Sequence, residues 1–301
     1  MLSQKKHSAD YFGKTRDYWW NADFLQLMAT RWDLDKVENV LDVGCGVGHW
    51  SFVLSDILPQ NTHLTGIDRE PAWVQKATET AASLSLSERY SFQAGDANAI
   101  PFPDNHFDMV TCQTVLIHVG DVAHVLAEMI RVLKPGGILI AIEPNNIARS
   151  LCLSTLDLDN AIDDILDITR FQLTCERGKK ALGEGYISIG DQLPSFFSKQ
   201  GLKDIKTYIS DRAKTCCPPY ASAEEKSMIE ELQEWSKNLF WIWNKEETQR
   251  FYLAGGGEAT AFDSYWLKAL DRQNDRVLEG VADESYATAG GKLTYCISGR
   301  K

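Results

Sequence analysis

Long apolar runs are missing from this sequence. Its longest stretches, such as VLIHV and ILIAI, fall far short of the ~20 residues that a membrane-spanning helix needs. Clusters of lysine and arginine are missing too. Lys and Arg total 31 against 42 Asp and Glu, for a net charge of −11. A field of that sign repels phosphate backbones and anionic membranes, so no nucleic acid and no membrane is expected as a partner. Cysteine is sparse: the 7 present are an odd number, without a C-x-x-C pair or any metal-ligand spacing. That usage suits free thiols in a reducing compartment better than a disulfide framework, and no metal is expected. The opening MLSQKKHSADYFGK carries charge and no apolar h-region, which argues against a signal peptide. The expectation is a soluble cytoplasmic protein. Repeats and low-complexity linkers are absent as well. With 44% apolar and 24% charged residues, the composition excludes a disordered or collagen-like chain.

What is there is an alternation of short apolar runs with helical patterns. ENVLDV (38–43), THLTGID (62–68), YSFQAGD (90–96), FDMVTCQ (107–113) and GILIAIE (137–143) read as buried strands. Between them fall a helix over 50–58, a helix from Pro71 to about Leu84, and a helix after Asp121. In the last of these, Val122, Val125, Leu126, Met129, Ile130 and Leu133 recur at i, i+3, i+4, i+7, i+8 and i+11, one helical face. Strands separated by helices of this length pair in parallel through crossovers. The expected fold is α/β, a doubly wound Rossmann-like sheet.

Beyond Pro144 the rhythm changes. Residues 151–170 carry five aspartates among leucines and isoleucines, which predicts an amphipathic helix outside the sheet. A helix is expected over 193–199, a sixth strand over 203–210 and a last strand over 292–298. Ser222-x-x-Glu225 is a capping box, in which each side chain satisfies the other's backbone N–H. Met228, Leu232, Trp235 and Leu239 form a stripe behind it. A helical insertion of about 80 residues thus separates the last two strands.

The strongest motif is Leu41-Asp42-Val43-Gly44-Cys45-Gly46-Val47-Gly48, between the first strand and the first helix. Glycine suits a tight turn in which any Cβ would hold off a ligand. Dinucleotide folds place G-x-G-x-x-G here, whereas this spacing is G-x-G-x-G with His49 following. Asp68 ends the second strand, where a carboxylate can accept both hydroxyls of a ribose. Taken alone, it separates neither an S-adenosyl nor a nicotinamide cofactor from the other. Asp96, in Gly95-Asp96-Ala97, sits where it could accept from an adenine amino group.

Leu41 to Gly48, Gly66-Ile67-Asp68, Gly95-Asp96-Ala97, the stretch from Pro101 to Phe107-Asp108, Leu116 to Val119, and Leu133 to Gly137 occur in that order. In sequence and spacing they resemble the class I S-adenosylmethionine-dependent methyltransferases, above all the bacterial small-molecule group. The resemblance covers about residues 38–144. It implies a seven-stranded sheet whose last strand inserts antiparallel between strands five and six. It implies S-adenosylmethionine as cofactor, with Gly44, Cys45, Gly46 and Gly48 lining its methionine and ribose portion and Asp42 orienting it. By the same resemblance Asp68, beside Arg69, holds the ribose, Asp96 and Ala97 bind the adenine, and Gln113 sits beside the sulfonium. The domain reading is a helical segment over 1–37 covering the cofactor site and a core over 38–210 with an insertion at about 145–190. A helical cap over 211–291 and a final strand over 292–301 complete it.

A sulfonium methyl is already electrophilic, so the protein's task is to place a nucleophile in line and exclude water. His118 and Glu143, at the ends of strands four and five, are the candidate acid–base groups, each with packing or orientation as the competing role. Tyr11, Tyr18, Trp19, Trp241 and Tyr252 are candidates for an apolar substrate pocket. The aromatic crowd over 235–266 reads equally as the core of the inserted helices. The expected partner is a small-molecule methyl acceptor, with the chain a monomer or homodimer. A quinone-precursor or protein methyltransferase, a nicotinamide oxidoreductase and a non-catalytic binding protein are the alternatives.

Overall fold

In the computed structural model, residues 14–291 and 293–301 are described. The strands are β1 (Asn39–Val43), β2 (His63–Asp68), β3 (Tyr90–Ala94), β4 (Phe107–Gln113), β5 (Leu133–Asn145), β6 (Lys203–Ile209) and β7 (Leu293–Arg300). The helices are α1 (Ala22–Trp32), α2 (His49–Leu54), α3 (Pro71–Ser83), α4 (Val122–Val132), α5 (Asn146–Arg149) and α6 (Ile162–Ala181). They continue with α7 (Leu193–Lys199), α8 (Ala223–Lys237), α9 (Lys245–Ala254), α10 (Phe262–Leu270) and α11 (Arg276–Ala282).

From Val40 to Val43 no side chain of β1 reaches solvent, so both faces of the strand need cover. That is the position of a central strand in a parallel sheet. The seven strands run in the order β3-β2-β1-β4-β5-β7-β6. β1 pairs in parallel with β2 and β4, β2 with β3, and β4 with β5. β6 and β7 pair antiparallel, as the resemblance implied. The order reverses between β1 and β4. In open α/β sheets, ligands bind beyond the carboxyl ends of the strands at such a switch. Here those ends are Val43, Asp68 and Gln113.

Local chemistry sets several boundaries. Pro71 opens α3, where its missing N–H costs nothing. The Asp121 side chain accepts from His124 N–H at 3.0 Å and starts α4. β5 is longer than expected because Lys134-Pro135-Gly136-Gly137 does not end the chain's run. It loops out as an irregularity, with Leu133 opposite Phe107 and Ile138 opposite Met109. Asp108 secures that edge, accepting from Asn39 N–H at 2.9 Å and from Lys134 Nζ at 2.6 Å. The helix expected over 151–170 is displaced to Ile162–Ala181. Ser154 and Asp157 close a capping box on a separate 3-10 turn first, which uses up the stretch before it. Leu239 lies past the end of α8 and is exposed, outside the stripe assigned to it.

The chain divides into two compact units. The sheet unit comprises Trp20–Pro144, Ile189–Asp211 and Thr294–Lys301. Among the described residues, the helical unit comprises 14–19, Asn145–Ser188 and 212–293. Of the segment over 1–37, the described residues 14–19 group with the helical unit and 20–37 with the sheet unit. α1 packs Phe24, Leu25, Met28 and Trp32 into the sheet unit's core beside Trp50, Leu54 and Ile140, because its apolar stripe needs that cover. Likewise the insertion at 145–190 groups with residues 212–293 rather than with the sheet.

The helical unit is built around Phe171 of α6. Its ring stacks on Trp241 at 5.1 Å and on Tyr265 at 5.4 Å, and tilts against Tyr252 at 5.2 Å. α6 and α9 approach so closely that a Cβ on Gly178 would stand 1.7 Å from the Phe251 carbonyl oxygen. The aromatic residues over 235–266 are thus this unit's core. No described helix is long and apolar enough to cross a membrane.

Candidate cofactor site

Past Val43 the backbone of β1 turns back under β2. The N–H groups of Gly44 and Cys45 both donate to Ile67 O, at 2.8 and 3.0 Å. Gly44 adopts φ +68° and Gly46 φ +54°, a region where a side chain costs about 1–2 kcal/mol. The two glycines differ in their surroundings. A Cβ on Gly44 would stand 2.6 Å from Val115 Cγ2, so a side chain here would have to displace Val115. Around the Cβ position of Gly46 no described atom lies within 4 Å. Gly46 therefore faces open space, where a ligand can approach the backbone.

Asp68 closes the other side of the turn. It is 7% exposed, and its Oδ2 accepts from Gly46 N–H at 2.9 Å while Oδ1 accepts from Glu70 N–H at 2.9 Å. Each carboxylate oxygen carries two lone pairs, so one site on each stays open to a hydroxyl donor. Asp42 lies one layer deeper, 1% exposed, and its Oδ2 accepts from Ser51 Oγ at 2.5 Å. Burial pushes its carboxyl up to about 7, against the Ser51 hydrogen bond, with the nearby Asp68 charge adding to the rise. Burial also raises the Cys45 thiol far above its ordinary range, so the thiol packs as a neutral side chain.

Asp96 and Arg69 are exposed at the ends of β3 and β2, and Ala97 is half-buried. Asp96 Oδ1 accepts from Asn98 N–H at 2.9 Å and Asn98 Nδ2 at 2.8 Å, and the first of these leads in holding its carboxyl below the usual range. Half-buried Gln113 ends β4 opposite Ile142 of β5. His118 is exposed at the end of a 3-10 turn, Leu116–His118. Glu143 is 0% exposed and accepts from backbone N–H groups of that turn. The sheet unit thus gathers Asp42, Gly44, Cys45, Gly46, Gly48, Asp68, Gln113 and Glu143 at its switch point.

Other expectations are corrected. Trp241 and Tyr252, expected at a substrate pocket, are 3% and 5% exposed and packed against Phe171 in the helical unit's core. Tyr18 and Trp19 belong to the helical unit and are half-buried; Arg212 Nε donates to Tyr18 O at 2.8 Å. Tyr11 lies outside the described residues. Among the described residues no group of three His, Cys, Asp or Glu is placed to hold a metal ion. Two residues went unremarked in the sequence. Ser51 reaches back one turn into α2 to hold Asp42, a spacing that a serine just inside the helix could have signalled. Val115, an ordinary apolar residue in a loop, carries no such signal.

The family described as "Methyltransferase domain" matches residues 34–255. A demethylmenaquinone methyltransferase of Listeria monocytogenes serotype 4a is 37% identical over 124 residues, which is 41% of this chain and 50% of the relative. A 2-phytyl-1,4-naphtoquinone methyltransferase of Synechococcus elongatus is 38% identical over 110 residues, 36% of this chain and 47% of the relative. The alignments thus span about half the length of the curated relatives. Among solved structures, the YcgJ protein of Bacillus subtilis superposes with a TM-score of 0.52 at 19% identity, covering 93% of this chain and 99% of that one. That likeness shows the fold alone.

Proposed function

Since the chain belongs to the class I S-adenosylmethionine-dependent methyltransferases, we propose that it moves a methyl group from that cofactor onto an oxygen, nitrogen or carbon atom of a small, partly apolar molecule. The observation that carries this reading is the open face of Gly46 beside the Asp68 carboxylate. The residues present fit the cofactor. Its ribose hydroxyls are donors suited to the open lone pairs of Asp68, and its positive sulfonium suits a site lined by carboxylates.

The bound cofactor supplies the electrophilic methyl. The chain's own residues bind and orient. In this reading Asp68 holds the ribose, with Arg69 beside it. Asp42, fixed by Ser51, supports the turn from below, and Gly44, Cys45, Gly46 and Gly48 present backbone to the methionine portion. Asp96 and Ala97 take the adenine edge, and Gln113 lies beside the sulfonium. His118 is the acid–base candidate for acceptors that must lose a proton, since its exposure leaves it able to exchange one with water.

Among acceptors, a quinone-type ring is favoured, because relatives include a demethylmenaquinone methyltransferase and a 2-phytyl-1,4-naphtoquinone methyltransferase. The buried free thiols of Cys45, Cys112, Cys175, Cys216 and Cys296 support a reducing, cytoplasmic setting. Methyl-labelled cofactor, incubated with the protein and fractionated metabolite extracts or a naphthoquinone panel, tests the reading. Label appearing in an extracted product, with release of S-adenosylhomocysteine, is expected. Cofactor binding without label transfer to any acceptor would sink it.

A further inference from the structure

We propose that Glu143 is a positioning residue for the cofactor site, holding the turn after β4 against the glycine loop. The inference rests on the reading of that loop as the S-adenosylmethionine site. Glu143 lies near the end of β5 and is 0% exposed. Its Oε1 accepts from Val115 N–H at 2.9 Å and Leu116 N–H at 2.8 Å, with the Cys112 thiol at 3.9 Å. These bonds fall at the start of a short 3-10 turn, whose first N–H groups have no partner within the turn.

The chain needs such an anchor there. Thr114 takes φ +54°, an unfavourable region for a β-branched residue, and the backbone reverses sharply past Gln113. The reversal carries Val115 under the glycine loop. Its two γ-methyls stand 2.6 and 2.9 Å from where a Cβ on Gly44 would be. The loop is therefore gripped from two sides. On the β2 side, Ile67 O takes the N–H groups of Gly44 and Cys45. On the β4 side the Val115 side chain supports Gly44, and Glu143 sets where Val115 stands. The Glu143 backbone is itself fixed from behind, because Gly190 crosses so closely that its Cβ would stand 2.4 Å from Glu143 O.

This geometry assigns Glu143 to holding rather than to proton transfer. Oε1 is engaged by two backbone N–H groups and the Cys112 thiol, and Oε2 is buried with no hydrogen-bond partner among the described residues. A glutamine would keep a carbonyl oxygen for both N–H groups, whereas an alanine would remove the anchor.

The test compares Glu143→Ala and Glu143→Gln by calorimetric titration with S-adenosylhomocysteine and by amide hydrogen exchange of the ligand-free chains. In E143A the affinity is expected to fall at least about tenfold. Exchange should quicken at residues 114–118 and at 44–46 together, while the β2–β3 ladder stays protected. E143Q is expected to stay within about threefold of the wild type in affinity. E143A binding like the wild type, or unchanged exchange at 44–46, would overturn the proposal. So would E143Q binding as weakly as E143A, since that assigns the effect to charge. Should E143A fail to fold, Val115→Ala removes the same support, and wild-type affinity and exchange in that variant would be equally fatal. If the unmutated chain binds neither cofactor form, the functional reading fails instead, and the exchange comparison still decides the coupling.

Discussion

The backbone N–H of Gly46 donates to Asp68 Oδ2 at 2.9 Å across 22 residues of chain, and this bond joins the loop after β1 to the end of β2. Asp68→Ala removes the acceptor for both Gly46 and Glu70 and the proposed ribose ligand in one step. S-adenosylhomocysteine affinity should fall by about tenfold to a hundredfold, since losing charge-assisted bonds costs about 1.5–3 kcal/mol. Calorimetry checks this, with circular dichroism confirming the fold. Undiminished affinity would remove Asp68 from the site.

Gly44→Ala and Gly46→Ala should separate packing from ligand approach. Both put a side chain at positive φ, at about 1–2 kcal/mol each. Only Gly44→Ala also drives a methyl into Val115, so its melting temperature should drop further. Gly46→Ala should fold well and still lose cofactor binding, because its methyl occupies the open face. A Gly46→Ala chain that binds normally would place the ligand elsewhere.

The ligand-free protein should be less stable at pH 8 than at pH 5.5. Burial pushes the carboxyls of Asp42, Glu143 and Glu176 up to about 7 each. In the unfolded chain such groups ionise near pH 4. Between these values the native state holds protons that the unfolded state has lost, so stability is full below the window and is lost as pH rises through about 7. Asp96, held low by Asn98, acts below this window, and Lys179, pushed down to about 8 mainly by burial, acts at its upper edge. Thermal melts across pH 5.5–8 should fall steadily. A flat or rising series would contradict the burial of these carboxyls.

Phe171→Ala should destabilise the helical unit by about 3–5 kcal/mol, the usual cost of an aromatic cavity in a core. Hydrogen exchange should show lost protection in α6 and α9 with β1–β5 unaffected. Unchanged protection in α6 would mean that the rings over 235–266 are not its core.

The reasons for what was legible are physical. The parallel sheet could be read because β1 and β5 are buried on both faces, which leaves continuous apolar runs between glycine and proline breaks. The glycine loop and Asp68 could be read because both rest on spacing that the chain carries locally. Glu143 could be located but not assigned, since its role depends on two N–H groups that Thr114 turns toward it from another strand. Lys134-Pro135-Gly136-Gly137 marks the end of α4, but β5 begins ahead of it at Leu133, because proline and glycine signal a break without saying whether the chain leaves the sheet or only skips a register. Trp241 and Tyr252 were placed at a pocket because composition cannot tell an apolar cavity from an apolar core. That distinction hangs on Phe171, 70 residues before Trp241 in the chain.

The most direct test is a calorimetric titration of the intact protein with S-adenosylmethionine and, separately, with NAD. Saturable one-site binding of S-adenosylmethionine, lost in Gly46→Ala, and no heat from NAD are the expected results. Binding of NAD at the glycine loop, or of neither compound, would contradict the assignment.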